Sequence, residues 1–577
     1  MRLLLAFLVL ASCVHAADRP NVLIILTDDQ GYGDLSMHGN QSLQTPVIDK
    51  MASQSMRFDR FYVSPLCAPT RASLLTGRYS LRTGVRGVAA GEEAMRGEET
   101  TIAEALKAQG YHTGLFGKWH NGENYPCNPA AQGFETVFGY TRGHWNNYFN
   151  SPVKKNGKPA VAKGYIVDAT TSEVTQFMDE SKDKPFLAWV AYTTPHSPFQ
   201  VPDEYFDRYK AKGLPDDLAC IYGMCANLDD NVGRLLKHLD ERGIADNTIV
   251  IFLPDNGPAT ERYNGGMKGK KGSMDEGGSR VPCFIRWPAR FKQPRLIPQI
   301  AMHIDMFPTL MELCGLPMPK TLPIDGHSLV PLLDGKTEGW PERELFTQHM
   351  LTGPKGARAA AVRTQQYRAV MQNKDWHLYD MMADPGQEKD IAAAKPDLVT
   401  KFAADYAAWF KDVKADADKP RDIPDLGHPD ENPIELTTPN GQLTGKLNFG
   451  GLPPNNSWIH NWRNLDDNVS WDLNVIEPGD YEIQLQYICP QADAGSKIEV
   501  LANGKSFPAV VAGTPIISYP SPDRVPRKEA YEMKWFFLKP GTVHLDKGPA
   551  QFKVKALEKP GEEVMQLKAL WLRREDD

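Results

Sequence analysis

The sequence lacks the features that mark several common classes of protein. Its 577 residues carry 65 lysines and arginines against 72 acidic residues, a net charge of −7, with no basic stripe, so no nucleic-acid partner is expected. Its eight cysteines include no Cys-x-x-Cys pair, which argues against a thioredoxin-like site and against a zinc site. The sequence has no internal repeat and no apolar run long enough to span a membrane, so we expect no transmembrane segment.

The first residues have the pattern of an export signal. Arg2 supplies a positive start, residues 3–11 are apolar, and Val14-His15-Ala16 resembles a cleavage site, so we expect a signal peptide over residues 1–16. The protein would then be periplasmic or secreted, where disulfides are permitted, although the sequence leaves their pairing open. The residues that end in Cys13 also fit a bacterial lipobox loosely, so a lipid anchor on Cys13 stays open as an alternative.

The pattern of apolar residues divides the rest of the chain into three parts. Strands alternate with helices over residues 17–335, which predicts an α/β domain with a large, mostly parallel sheet sandwiched by helices. Residues 336–415 predict a small α+β subdomain of short antiparallel strands and one helix. A polar, proline-rich linker over residues 416–433 leads to residues 434–577, where strands punctuated by turns predict a C-terminal β-sandwich.

The elements of these parts are predicted from periodicity and turn signals. In the first part the strands are 21–26, 113–116, 186–192 and 248–253, and the helices are 101–109, 166–182 and 218–242. In the second part the strands are 359–363, 367–371 and 376–379, and the helix is 396–413. In the third part the strands are 471–475, 481–487, 497–502, 531–538, 551–556 and 566–572.

The segment that runs from Cys67 to Arg78, CAPTRASLLTGR, is the most informative stretch. Pro69 suits the first turn of a helix, which places Cys67 near the helix N-terminus, where exposed amides favour an anion. Arg71 lies one turn further on the same face and can bind a tetrahedral oxyanion. A lone cysteine is more often a buried small side chain or a disulfide partner. A nucleophile beside an anion cradle instead indicates the transfer of a sulfuryl or phosphoryl group.

Charged and polar side chains follow four of the predicted strands. Sites in open α/β sheets form at the carboxyl ends of the strands, so these side chains are expected to converge with Cys67. The three aspartates and the asparagine offer only hard oxygen ligands, which favours Ca2+, with Mg2+ possible, over zinc. In strand order, the residues are Asp28 and Asp29, Lys118 and His120, His196, and Asp255 and Asn256.

The same segments, in the same order, resemble the motifs of the type I sulfatases, the formylglycine-dependent arylsulfatase family of the alkaline phosphatase superfamily. The resemblance covers roughly residues 20–410 and includes the Cys67 segment. The other matching motifs are Thr27-Asp28-Asp29-Gln30-Gly31, Gly117-Lys118-Trp119-His120, Pro195-His196-Ser197-Pro198, Asp255-Asn256-Gly257, and Lys271-Gly272 followed by Glu276-Gly277-Gly278-Ser279-Arg280-Val281-Pro282.

The resemblance implies that a maturation enzyme oxidises Cys67 after translation to formylglycine. The hydrate of this aldehyde would attack the sulfur of a sulfate ester, and its second hydroxyl would then expel sulfate as the aldehyde re-forms. The implied calcium ligands are Asp28, Asp29, Asp255 and Asn256, and the ion would stabilise charge on the sulfate oxygens. The residues implied to hold the hydrate are Arg71, Lys118 and His120, and those implied to grip the sulfate and assist the leaving alcohol are His196 and Lys271.

Three details stay open at this stage. Lys271 is chosen by its spacing to Glu276, and Lys268 on the same loop is the alternative. His144, in a polar and aromatic stretch, could touch the substrate or simply belong to a packed surface loop. The tryptophans of the C-terminal part could stack on sugar rings, although in a β-sandwich they are more often core; they are Trp458, Trp462 and Trp471.

The sequence thus predicts an exported, calcium-dependent sulfatase that acts on a sulfated saccharide. Two other functions are considered. A phosphoester or phosphonate hydrolase could use the same scaffold and the same metal. A non-catalytic protein that binds sulfated glycans is the other alternative, but a degenerate enzyme should have lost Cys67 or a metal ligand, and none is missing.

Overall fold

The computed structural model describes residues 19–182, 184–349, 359–450, 457–527 and 529–575. The predicted signal peptide and Cys13 therefore lie outside the described residues. In the described ranges, every helix is too short or too polar to cross a lipid bilayer. The seven cysteines in these ranges are buried free thiols, so the disulfides that export would permit are absent from this part of the chain.

A ten-stranded sheet organises the first part of the chain, in the order β10-β2-β9-β8-β1-β7-β3-β4-β5-β6. Its centre, β8-β1-β7-β3-β4, is parallel, and antiparallel pairs join β9 to β8 and add β5 and β6 at the other edge. The strands are β1 Asn21–Thr27, β2 Met56–Tyr62, β3 His112–Lys118, β4 Thr136–Tyr140, β5 Phe149–Lys155, β6 Lys158–Tyr165, β7 Phe186–Ala191, β8 Thr248–Pro254, β9 Arg280–Arg286 and β10 Leu296–Met302.

Helices cover both faces of this sheet, as the strand–helix alternation predicts. The side chains of β1 point alternately to the two faces: Val22 and Ile24 pack in one apolar layer with α2, α3 and α8, and Leu23 and Ile25 pack in another with α1, α4 and α6. The helices are α1 Pro46–Ser53, α2 Cys67–Thr76, α3 Ile102–Ala108, α4 Ile166–Glu180, α5 Asp203–Lys210, α6 Asp216–Glu241, α7 Glu276–Ser279, α8 Met306–Leu313, α9 Val330–Leu333 and α10 Pro396–Ala417.

Helix α2 begins at Cys67 and carries it in its first turn, as the motif predicts. All ten residues of α2 are buried, and Gly77 ends the helix in a left-handed conformation, with φ of 71°. The Arg71 side chain donates a hydrogen bond of 2.9 Å to the Lys118 carbonyl at the end of β3. Helix α2 therefore lies over the carboxyl ends of the central strands.

The second part of the chain is the predicted antiparallel sheet with one helix. Strands Leu345–Gln348 (β11), Ala359–Arg363 (β12), Tyr367–Gln372 (β13) and Asp375–Asp380 (β14) form a four-stranded sheet. Phe402 and Tyr406 of α10 pack on it.

Two facing, mainly antiparallel sheets with one shared core form the C-terminal part. One contains β15, β17, β20, β25, β22 and β23, and the other contains β16, β18, β19, β26, β21 and β24. Trp458, Trp462 and Trp471 are buried, which agrees with the core interpretation. The strands are β15 Asp425–Leu426, β16 Ile434–Thr437, β17 Gln442–Thr444, β18 Asn448–Phe449, β19 Ile459–His460, β20 Asn468–Val475, β21 Gly479–Ile488, β22 Lys497–Ala502, β23 Lys505–Val510, β24 Phe536–Leu545, β25 Gly548–Glu558 and β26 Gln566–Arg574.

One predicted strand of this part is wrongly placed. The prediction of a strand over residues 531–538 overlaps β24 only at its end, because β24 begins at Phe536 and continues to Leu545. Residues 511–527 and 529–535 instead belong to a long connection between β23 and β24, which contacts the first part of the chain. Tyr531, Met533 and Trp535 alternate with Glu532 and Lys534, which is the sequence pattern of a half-buried strand and explains the error.

Candidate active site

The predicted residues converge because four adjacent parallel strands end at one edge of the sheet. Asp255 follows β8, Asp28 follows β1, His196 lies in the loop after β7, and Lys118 ends β3, and these strands are neighbours in the order β8-β1-β7-β3. The backbone continues this alignment past the strands, since the Asp28 amide donates to the Thr194 carbonyl at 3.2 Å. The strand order therefore brings together residues that are up to about 230 positions apart in sequence.

Buried ion pairs connect these side chains. The Lys118 ammonium lies 2.5 Å from Asp28 Oδ2, and the Arg71 guanidinium donates to Asp255 Oδ2 through Nε at 3.1 Å and Nη2 at 2.8 Å. On the other side of the site, the Lys271 ammonium lies 2.6 Å from Asp29 Oδ1. The site therefore has positive groups on two sides of its carboxylates, an arrangement that suits a bound tetrahedral anion.

The neighbouring charges decide which carboxylates ionise. Burial alone would raise the pKa of Asp28, but Lys118, His196 and Arg71 outweigh burial and lower it. The pKa of Asp29 is also lowered, because Lys271 and His196 outweigh its burial. Asp255 differs from both, because burial and the nearby charge of Asp28 raise its pKa to about 6.

The oxygen atoms of the site fit a hard divalent cation. Asp28 Oδ1 and Asn256 Oδ1 are buried and have no hydrogen-bond partner among the described residues, which is costly for polar atoms unless another group binds them. The Asn256 amide donates to Asp29 Oδ1 at 2.7 Å, so its Oδ1 is left as an acceptor. Asp28, Asp255 and the Cys67 sulfur also offer atoms within 4.8 Å of one another. This donor set matches Ca2+ or Mg2+ better than zinc.

The Cys67 side chain lies among these charged groups as a protonated thiol. It is 4% exposed, and its burial raises the pKa of the thiol although Lys118 and Lys271 act in the opposite direction. A thiol with a raised pKa is a poor nucleophile at neutral pH. The unmodified side chain is therefore badly suited to attack at sulfur.

The two histidines of the site are held by backbone carbonyls. His120 Nε2 lies 2.9 Å from the Val88 carbonyl, so this nitrogen must carry a proton. Burial and the charge of Lys118 hold the pKa of His120 well below its usual value, so Nδ1, which is buried without a described partner, is an acceptor. His196 donates from Nδ1 to the Ser197 carbonyl at 2.6 Å. Its Nε2 faces Asp29 Oδ2 at 3.6 Å, and burial lowers its pKa.

Backbone strain is concentrated at two site residues. Asp29 and His120 have φ angles of 63° and 67°, in the left-handed region that costs a residue with a Cβ about 1 kcal/mol. Each of them is the second residue after the end of a central strand, β1 or β3. This left-handed backbone conformation sets the direction of the two side chains where the chain leaves the sheet. Strained backbone conformations of this kind are common at functional sites.

The structure separates the two lysines that the sequence could not rank. Lys271 reaches Asp29 in the site. Lys268 instead points to the hydroxyl of Tyr379 at 3.2 Å and lies 3.8 Å from Asp275. The geometry thus places Lys271, and not Lys268, beside the other site residues.

His144 lies beside the site, and residues that the sequence did not indicate lie with it. Its ring centroid is 4.8 Å from that of His196, and its Nε2 is 3.6 Å from a carboxylate oxygen of Glu529. Glu529, from the C-terminal part, also accepts a 2.6 Å hydrogen bond from the Ser197 hydroxyl. No sequence signal identifies Glu529, since it lies 332 positions from its partner and outside every recognisable motif.

Comparisons with known proteins show similarity along the first two thirds of the chain. The sequence model of the family described as Sulfatase matches residues 20–316, and that of the N-sulphoglucosamine sulphohydrolase C-terminal region matches residues 269–403. Human arylsulfatase A is 31% identical over 438 residues, which cover 69% of this chain and 84% of that protein. N-acetylgalactosamine-6-sulfatase of Mus musculus is 31% identical over 417 residues, which cover 64% of this chain and 76% of that protein.

A solved structure gives the same result. The structure of Ps i-CgsB in complex with k-i-k-neocarrahexaose has 28% sequence identity and a TM-score of 0.63, and it covers 68% of this chain and 92% of that one. The fold and these relatives define the class as sulfuric ester hydrolases, enzymes that cleave sulfate esters. The chain belongs to the sulfatase family.

Proposed function

We propose that the protein is an exported sulfatase that depends on formylglycine and Ca2+ and removes sulfate from a carbohydrate. The observation that carries this proposal is the position of Cys67. The residue lies in the first turn of a helix, and its sulfur lies beside carboxylate oxygens of Asp28 and Asp255 that could share a cation. As a thiol, Cys67 is a poor nucleophile. Formylglycine at this position, once hydrated, supplies a hydroxyl nucleophile that the thiol cannot supply.

The residues around Cys67 support this chemistry. Asp28, Asp29, Asp255 and Asn256 would hold a divalent ion, which would supply electrostatic stabilisation of the sulfate oxygens. Arg71 and Lys118, which are buried and charged, orient the hydroxyl groups at position 67 and the sulfate. The free acceptor Nδ1 of His120 receives a proton from one of these hydroxyls.

The leaving side of the sulfate is proposed to lie toward His196 and Lys271. Lys271 keeps its charge at neutral pH, because Asp29 and the other anions raise its pKa against the effect of burial, so it neutralises a sulfate oxygen. His196 lies on the same side, as its contact with Asp29 indicates. The charge of Asp29 opposes the effect of burial on the pKa of His196, and the bound anionic sulfate favours the imidazolium form further, so that a proton on Nε2 passes to the departing alkoxide. His144, which packs against His196, is proposed to contact the alcohol part of the substrate.

A carbohydrate substrate is proposed from the relatives. The names of two relatives specify a sulfated amino sugar and a carrageenan oligosaccharide as the molecules on which they act or which they bind. Export is proposed from the charged, apolar and small-residue pattern of residues 1–16.

The proposal is tested by mass spectrometry of the peptide that contains Cys67 and by assay of p-nitrophenyl sulfate. Co-expression with a formylglycine-generating enzyme should give a peptide lighter than the cysteine form, and Cys67→Ala should abolish release of sulfate. Cys314→Ala, at a buried cysteine in the α8 layer, is the matched control and should stay active. An unmodified peptide in a fully active enzyme would contradict the proposal, and faster cleavage of p-nitrophenyl phosphate than of the sulfate would favour the phosphoester alternative.

A further inference from the structure

The connection between β23 and β24 joins the C-terminal sandwich to the rim of the active site. Its backbone amide at Arg524 donates to the Phe199 carbonyl at 3.0 Å, and Asp523 accepts a 2.6 Å hydrogen bond from Gln200. Further along, Glu529 accepts from Ser197, the residue after His196. The C-terminal part therefore completes the wall of the site next to the proposed leaving-group side.

A cavity of about 1060 Å³ lies between this connection and the first part of the chain. Sites for single drug-sized ligands occupy roughly 300–1,000 Å³, so this cavity is large enough for more than one sugar ring. Strands β4 and β5 and the segment between them supply one wall, and the connection with strands β16, β21 and β26 supplies the other.

Aromatic rings line this cavity on both sides. Trp145 stacks on Tyr140 at 4.3 Å between ring centroids, and Trp535 and Trp571 face the cavity from the sandwich. These three tryptophans are only partly buried, whereas Trp458, Trp462 and Trp471 of the sandwich are buried. Partly exposed tryptophan rings suit the apolar faces of sugars.

The charge of the cavity favours an anionic ligand. Four cationic side chains line it, namely Arg142, Lys154, Lys534 and Lys568, against the two carboxylates Glu435 and Glu532. Arg142 and Lys568 are paired with these carboxylates at 2.6 and 3.2 Å. Neither Lys154 nor Lys534 lies within 4.0 Å of a described carboxylate, although the charges of Arg142 and Lys154 lower the pKa of Glu435 against the effect of its burial. A local excess of positive charge on a chain of net charge −7 indicates complementarity to sulfate or carboxylate groups.

The cavity and the active site share one segment. Trp145 and Asn146 line the cavity, and His144, the residue before them, packs against His196 in the site. Asn146 is also bound from the sandwich side by Glu532 at 3.1 Å. The cavity therefore adjoins the site along this segment.

We propose that this cleft between the two parts of the chain binds the sugar residues next to the sulfated one, so that the enzyme acts on an anionic oligosaccharide and the C-terminal sandwich contributes to substrate binding. The inference rests on the proposed function for its sulfated carbohydrate substrate. The rings of Trp145, Trp535 and Trp571 stack on the sugars, and Lys154 and Lys534 pair with their sulfate or carboxylate groups.

The test compares kcat/KM for an oligosaccharide with kcat/KM for p-nitrophenyl sulfate. When p-nitrophenyl sulfate is bound in the site, it is too short to extend into the cleft. The probes are k-i-k-neocarrahexaose and a hexasaccharide that ends in N-acetylgalactosamine 6-sulfate. In Trp535→Ala and in Lys534→Glu the ratio should fall about tenfold or more through a higher KM, the size of one lost stacking or ionic contact. Lys505→Glu, an exposed lysine on β23 outside the cleft, is the control and should leave the ratio unchanged.

Calorimetric titration of Cys67→Ala with the same hexasaccharides provides a second readout that does not require turnover. If Lys534→Glu, combined with Cys67→Ala, weakens binding of a hexasaccharide, the result supports the cleft. It does so even if the wild-type protein cleaves neither probe, because absence of cleavage would contradict only the proposed function. A ratio within twofold of wild type in both cleft variants would overturn the inference. The inference would also be overturned if neither hexasaccharide binds and neither has a higher kcat/KM than p-nitrophenyl sulfate with the wild-type protein.

Discussion

At the scale of single residues, the site contains buried carboxylates whose charge and hydrogen-bonding capacity are only partly met by neighbouring side chains. Asp28, Asp29 and Asp255 are buried within one cluster, and the pKa of Asp255 is raised to about 6 by burial and by the charge of Asp28. Three cationic side chains offset part of this repulsion. Two oxygen atoms nevertheless stay without partners. A divalent cation would satisfy both the charge and these oxygens.

The first prediction concerns this cation. Asn256→Ala removes a neutral oxygen ligand without changing charge, so it should weaken Ca2+ binding about tenfold or more. The wild-type unfolding temperature should rise with added Ca2+, and the variant should need a correspondingly higher concentration for the same rise. Asn231→Ala, which removes a buried asparagine of α6 that bonds to Asp168 and Asn227 and not to a residue of the site, is the control. Equal Ca2+ dependence in wild type and Asn256→Ala would rule out Asn256 as a ligand.

The second prediction concerns His303, which lies outside the site and is completely buried. Burial lowers the pKa of His303 from 6.5 to about 3, so between these values the unfolded chain binds a proton that the folded chain does not. Folding stability should therefore fall as pH falls from about 6.5 toward 3, and His303 should contribute about 3–5 kcal/mol of this loss.

Chemical denaturation of wild type and His303→Gln from pH 7 to pH 4 measures this contribution. The variant should be the less stable protein at pH 7, because it loses the contact of His303 with the Ser64 hydroxyl at 3.1 Å. This deficit should shrink as the pH falls, because only the wild type has the buried imidazole. A stability difference that stays constant over this range would show that His303 does not couple folding to pH.

At the scale of elements, the site depends on how closely the strands approach at their carboxyl ends. Gly117 precedes Lys118 on β3 and has φ of 106°. A Cβ at this position would lie 2.0 Å from the Ala191 carbonyl oxygen at the end of β7. Gly139 on β4 makes a similar approach, at 2.0 Å, to the Gly117 carbonyl oxygen. Small residues therefore set the spacing of three neighbouring strands just before the side chains of the candidate site.

The third prediction follows from this spacing. Gly117→Ala should displace the end of β3 from β7, lower the free energy of unfolding by about 2–4 kcal/mol through steric overlap and unfavourable φ, and strongly reduce sulfatase activity. Gly110→Ala is a matched control, since Gly110 also has a left-handed φ but a Cβ there would meet no atom within 4 Å. The control should lose only about 1 kcal/mol and keep its activity. Equal effects of the two substitutions would refute the steric argument.

The elements that sequence analysis predicts best are those whose own residues decide their structure. Continuous apolar runs bounded by polar residues predict β1, β7 and β8, which are buried along their lengths, and α6 and α10 have long amphipathic patterns. Sequence analysis does not predict β2 and β9, which mix charged and apolar residues, or β10, which is interrupted by a proline and a glutamine. Their structure is decided by pairing across more than 200 residues, which a local pattern does not contain.

At the scale of the whole molecule, the same distinction applies to the site. Cys67, Asp28, Lys118 and Asp255 are recognisable because each lies in a motif at a strand end or helix start, and parallel topology then brings strand ends together. The contribution of the C-terminal sandwich could not be predicted. Glu529 reaches Ser197 only because the two domains pack together, and the packing of domains depends on the shape of both surfaces.

The last prediction concerns this packing. Arg142, on the segment after β4, donates to Glu123 at 2.8 Å and lies 2.6 Å from Glu435 on β16. Its side chain is 12% exposed, and removing one partner of a buried ion network costs about 3–5 kcal/mol, because the carboxylates lose their counter-charge. We therefore expect the wild-type protein to unfold in one calorimetric transition and Arg142→Ala to show two, with the sandwich unfolding separately. The control is Arg573→Ala, which breaks an exposed ion pair with Glu482 inside the sandwich and should unfold in a single transition. If Arg142→Ala also unfolds in a single transition, Arg142 does not couple the two parts of the chain.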